Sequence, residues 1–199
     1  MQKLFRAIYL IPLFFLCSCH TKDNRQEAAV INNNDEPQFF FPVTEFLLGQ
    51  LREIDSLPVT PLKIITDNDI RDSIWLKRSD VRTFAKPFLS PVIDSNTMQS
   101  YFVEKSFLDQ TINAVTLSYD PVKKLPDSIQ LNHWDVYIDP QKNTVQRVYM
   151  VKEENINGTT ITTHLTWKAG KSCSITTIKQ QPKMAPEVRS EIVKWDLDD

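Results

Sequence analysis

From about residue 99 to its end, this 199-residue chain places apolar side chains at every second position. That period belongs to strands with one face in a core and the other in water. Seven segments carry it: 100–108, 112–119, 129–139, 145–154, 159–168, 171–180 and 187–196. Turn formers separate them at Asp120-Pro121, Asp139-Pro140, Asn157-Gly158, Ala169-Gly170 and Pro182. Links this short join antiparallel neighbours. The stretch before residue 99 has a different rhythm. Residues 39–54 place Val43, Phe46, Leu47, Gln50 and Ile54 at helical spacing, with Pro42 in the first turn. Ser79-Asp80 reads as the N-cap of a second helix with Val81, Phe84, Ala85 and Phe88 inward. Residues 62–65 and 74–76 read as short strands, and 67–72 as a solvated loop. That loop has three aspartates but neither the glycine nor the closing glutamate of a calcium loop. The fold class expected is α+β: N-terminal helices followed by an antiparallel curved sheet or partial barrel of about six to seven strands.

Turn chemistry sets the registers. Asn157-Gly158 suits a type I′ turn and pairs Ile156 with Thr159. Met150 then faces Leu165 and Val148 faces Trp167, apolar against apolar, while Val151 faces His164 and Tyr149 faces Thr166. A three-residue loop at Lys168-Ala169-Gly170 pairs Leu165 with Cys173 and Thr163 with Ile175. This makes Cys173 a small buried hydrophobe. Pairing Trp134 with Met150 sends Trp134, Val136 and Ile138 to the apolar face and sets His133 beside Val151.

The second face then collects His133, Asp135, Tyr137, Arg147, Tyr149, His164 and Thr166, flanked by Thr162 and Ser174. Phenols, a guanidinium and imidazoles suit a polar or amphipathic ligand, or a partner protein. The alternative is a solvated face rich in strand formers. His133 and His164 sit two strands apart, about 9–10 Å, too far to share a zinc ion. Asp135 is the best-placed carboxylate for acid–base work, which would require a shifted pKa. No catalytic, metal or cofactor set is expected.

Composition narrows the function further. The three glycines, Gly49, Gly158 and Gly170, are too scattered for a phosphate cradle. Lys and Arg number 23 against 25 Asp and Glu, a net charge of -2. That balance argues against a nucleic-acid or anionic-membrane surface held by bulk charge.

The N-terminus reads as an address. Lys3 and Arg6 precede an apolar run from Ala7 to Leu16, short of the ~20 residues that span a bilayer. Leu16-Cys17-Ser18-Cys19 follows, and it resembles the lipobox of bacterial lipoproteins. The resemblance implies cleavage before Cys19, acylation of that cysteine, and a membrane partner reached through the lipid anchor. His20, in place of aspartate after the cysteine, favours the outer membrane of a Gram-negative bacterium; periplasmic and outward-facing placements stay open. The chain is then divided into a signal peptide (1–18), a lipidated cysteine with a flexible tether (19–37) and one soluble α+β domain (38–199). Removal of the signal peptide takes Lys3 and Arg6 with it.

The function expected is that of a non-enzymatic envelope lipoprotein that binds a partner protein or an amphipathic ligand. A carrier of lipid or acylated protein, lined by Phe39–Phe41, Phe84, Phe88 and Trp134, is the alternative; an envelope hydrolase has less support. Asp55-Ser56-Leu57, Asp72-Ser73-Ile74 and Asp127-Ser128-Ile129 resemble an O-glycosylation pattern of exported proteins.

Overall fold

The computed structural model describes residues 40–196. The expected signal peptide, Cys19 and the expected tether lie outside the described residues, as does Phe39. Helix α1 (Val43–Ser56) begins behind Pro42 and buries Val43, Thr44, Leu47, Leu51 and Ile54. Its inward stripe is therefore shifted from the expected one. Leu51 replaces Gln50, and Gln50 instead accepts the Gly170 amide at its Oε1 (2.9 Å). Strands β1 (Leu62–Asp67) and β2 (Ile70–Trp75) follow, then α2 (Arg78–Phe84), a 3-10 turn (Lys86–Leu89) and α3 (Ser95–Met98). Asp80 sits one turn into α2 and accepts the Lys77 amide (3.2 Å), so the helix starts slightly before the expected cap.

Among the described residues seven further strands follow: β3 (Phe102–Asp109), β4 (Ala114–Pro121), β5 (Leu131–Asp139), β6 (Thr144–Ile156), β7 (Thr159–Lys168), β8 (Ser172–Gln180) and β9 (Glu187–Lys194). They match the seven alternating segments. All nine strands form one antiparallel sheet in the order β2-β1-β9-β8-β7-β6-β5-β4-β3. The fold is thus mainly β, an open sheet with two outer strands and not a closed barrel.

Two expectations are corrected. The helices do not form an N-terminal block, because the β1–β2 hairpin stands between α1 and α2 and docks on β9. The supposed loop at 67–72 is part of that hairpin. Asn68 takes a positive φ of 51°, which asparagine tolerates, and the chain reverses over Asn68-Asp69.

The Asn157-Gly158 turn has φ of 52° and 79°, and the β6–β7 register is the expected one throughout. The β7–β8 register differs by two residues. Trp167, not Leu165, faces Cys173, and Leu165 faces Ile175. The loop is Ala169-Gly170-Lys171, with Gly170 central at φ 71°. Parity survives this slip, so Cys173 remains buried.

One sheet face carries Trp134, Val136, Val148, Met150, Leu165, Trp167, Cys173 and Val193, all buried. The helices lie against it with Leu47, Leu51, Val81 and Phe88 in the same apolar cluster. Burial of each large side chain is worth about 1.5–3 kcal/mol, so this layer supplies most of the driving force. Lys152 on β6 ties the cover down by donating to the carbonyls of Pro87 and Ser90.

Candidate functional site

Strand alternation delivers the site. His133, Asp135 and Tyr137 stand at every second position of β5, on the face opposite the helices. Arg147 and Tyr149 on β6 pair with Tyr137 and Asp135, and Thr166 on β7 pairs with Tyr149. His133, Val151 and His164 form one row across β5, β6 and β7. Each expected residue is therefore on one surface. They form two hydrogen-bonded groups, with Thr166 adjoining Tyr149.

The first group centres on His133. Its Nδ1 lies 2.9 Å from Asp120 Oδ1 and its Nε2 lies 3.1 Å from Asp135 Oδ1. Tyr137 donates its hydroxyl to the other oxygen of Asp135 (3.1 Å). Lys105 donates to the other oxygen of Asp120 (3.0 Å). Arg147 covers the Tyr137 ring at 4.0 Å from its centroid. In the second group, the Tyr149 hydroxyl is 2.6 Å from His164 Nδ1, and the two rings stack. The rings of His133 and Tyr149 are 6.4 Å apart, edge to face, which joins the groups.

The charges follow from these contacts. The hydrogen bond to Asp135 raises the His133 pKa above its ordinary value; burial opposes it, and Asp120 adds to the rise. Burial alone would raise Asp135, yet hydrogen bonds from His133, Ser118 and Tyr137 outweigh it and hold the carboxyl low. Asp120 is likewise held low, by Lys105 and His133 against burial. Tyr137 is pushed up to about 12, first by burial and then by the adjacent Asp135 charge.

An imidazole bound by carboxylates at both nitrogens favours the imidazolium, which has no lone pair for general-base work. The cluster therefore presents fixed charge and oriented phenols, an arrangement suited to recognition. Among the described residues, no group of three or more His, Cys, Asp or Glu side chains is placed to hold a metal ion.

Asp120, Lys105 and Ser118 belong to this network and are absent from the expected set. Tyr119 faces Trp134, so one further step along the register brings Asp120 to His133. The signal was the shared alternation of residues 117–119 and 134–136. Reading Asp120-Pro121 as a turn hid it, because β4 runs on through Pro121.

Tyr137 and Arg147 also wall a groove of about 920 Å³ at the strand ends, with Phe41, Phe46, Ile112 and Val145 as its apolar lining. Fold and site together define a class: an open antiparallel sheet, helix-backed on one face and bearing a charged aromatic network on the other. Comparison with protein-family models, curated proteins and solved structures finds no match for the chain.

Proposed function

We propose that this is a lipid-anchored envelope protein of the outer membrane that binds a partner protein through the helix-free face of its sheet. The observation that carries the proposal is the Asp120–His133–Asp135–Tyr137 network. Asp120, His133 and Tyr137 are partly exposed around the buried Asp135, and each is oriented by its neighbours. Preorganised polar groups reduce the ordering cost of association, and oriented charge contributes specificity. The N-terminal lipobox supports the location.

A photo-crosslinking residue at Thr166 tests the proposal in cells. A discrete adduct is expected from Thr166, absent at Gln180 on the other end of the sheet, and lost when His133 and Arg147 are both replaced by alanine. Gln180 shares the face of Thr166, so equal labelling at both positions would refute a site centred on the His133 network.

The groove favours a second reading, an amphipathic ligand with its acidic head at Arg147 and its apolar body on Phe41 and Phe46. In that case Phe46→Ser would abolish binding of a fluorescent fatty acid, while the Thr166 adduct would persist.

A further inference from the structure

An open nine-stranded sheet has two outer edges, and here they differ. Strand β3 carries Lys105 in mid-strand, a charge that discourages pairing. Strand β2 is exposed at every position and has neither lysine nor proline. Ile70, Ile74 and Trp75 stand on it at 76%, 56% and 58% exposure.

The strand pairing settles which backbone groups of β2 are free. Asn68 donates its amide to Val188 (3.1 Å), so even-numbered residues of β1 turn their backbone groups toward β9 and odd-numbered ones toward β2. The bond from the Leu76 amide to the Pro61 carbonyl (2.8 Å) has the same parity. The β2 partners of the odd residues are Ile70, Asp72 and Ile74. Arg71, Ser73 and Trp75 therefore turn N–H and C=O outward. The Ser73 amide is met by the carboxylate of Asp72 (2.7 Å), a local substitute for a missing strand.

We propose that β2 pairs antiparallel with β2 of a second copy of this chain, about a two-fold axis normal to the sheet and centred on Ser73. Such an axis keeps each side chain on its own face, so the registers differ only in the residue that meets itself. Centring on Asp72 opposes two carboxylates. Centring on Ile74 leaves Arg71 beyond the pairing. Centring on Ser73 sets Arg71 opposite Trp75 of the second copy, Ser73 opposite Ser73, and Trp75 opposite Arg71. All outward backbone groups of the three residues then find partners. Arg71 lies over an indole on each side of the axis, a cation–π pair made twice.

Trp75 pairs through Leu62 and Lys194 to Ser172, which shares its face with Ser174 and Thr166. The helix-free faces of the two copies thereby become one continuous surface. The association rests on β2 alone and does not require the binding role proposed for that face.

The test is disulfide trapping of the full chain in membranes under mild oxidation. Ser73→Cys meets itself at the Cα spacing of a hydrogen-bonded pair, about 5.5 Å, within bridging range. Arg71→Cys would be offset by four residues, about 13 Å, and cannot bridge. Both variants share the same native cysteines, so any background linkage is common to them. A dimer at least about tenfold more abundant for Ser73→Cys is expected. Light scattering of the detergent-solubilised chain should give a dimer, and Ser73→Pro a monomer that still unfolds cooperatively, since the lost amide is not bonded to β1. Equal trapping by the two cysteines, a monomeric wild-type chain, or a sugar mass on Ser73 would each overturn the pairing.

Discussion

His133 is held between the carboxylates of Asp120 and Asp135, 2.9 and 3.1 Å away, and Asp135 is only 9% exposed. The pH dependence follows from the shifts. His133 is raised above 6.5, so its contribution is complete below pH 6.5 and is lost as pH rises through the folded value. Asp135 and Asp120 are lowered below 3.8, so theirs is complete above pH 3.8 and is lost as pH falls through the folded values. The network is strongest between these limits. His133→Ala should cost roughly 1–2 kcal/mol there, discounted for the exposure of Asp120, and less at high pH. Thermal melts across pH check this, and an NMR titration placing the His133 pKa below 6.5 would contradict it.

Glu104 is the opposite case. It faces the helix layer from β3, its Oε2 is buried without a partner, and Tyr119 is its hydrogen-bond neighbour. Burial raises its pKa above 4.5. Below pH 4.5 both folded and unfolded forms are protonated, and nothing is lost. As pH rises, the unfolded chain releases its proton first, so stability falls through the folded value. Glu104→Gln should therefore raise the melting temperature at pH 7, with the gain vanishing below pH 4.5. Tyr119 can still donate to the amide oxygen and accept the Phe41 amide (3.1 Å). A lower melting temperature at pH 7 would show that the carboxylate is needed ionised.

Legibility followed the turn chemistry. Asn157-Gly158 admits one tight register, and Trp134 with Met150 extended it to β5, so the His133–Val151–His164 row was readable. Gly170 was less informative, because a three-residue loop can start one position later. The register slipped by two while parity held. Asn68 disguised a turn within an acidic run, hiding the hairpin that supplies the outer strand. The partnership of Asp120 with His133 was hidden because a proline follows Asp120, and a proline signals a turn unless it lies at a strand end.

The glycines separate backbone cost from packing cost. A Cβ added at Gly158 or Gly49 meets nothing within 4 Å. Gly158 has a φ of 79°, so Gly158→Ala strains the turn and should cost about 1 kcal/mol or more. Gly49 lies inside α1, and Gly49→Ala should stabilise by about 0.4–1 kcal/mol through the unfolded chain. Urea unfolding of the two variants should give opposite signs. A shared sign would mean that the helix or the turn is misassigned.

The proposed location depends on Cys19. The apolar run before it is too short to span a bilayer, so lasting attachment requires acyl chains, each buried CH₂ adding ~0.8 kcal/mol. One chain is marginal and several are stable. The wild-type chain should incorporate labelled palmitate, lose the mass of residues 1–18 and sediment with membranes until detergent is added. Cys19→Ala should take up no label and keep its leader. If Cys19→Ala is trimmed and sediments as before, the anchor lies elsewhere and the envelope placement fails with it.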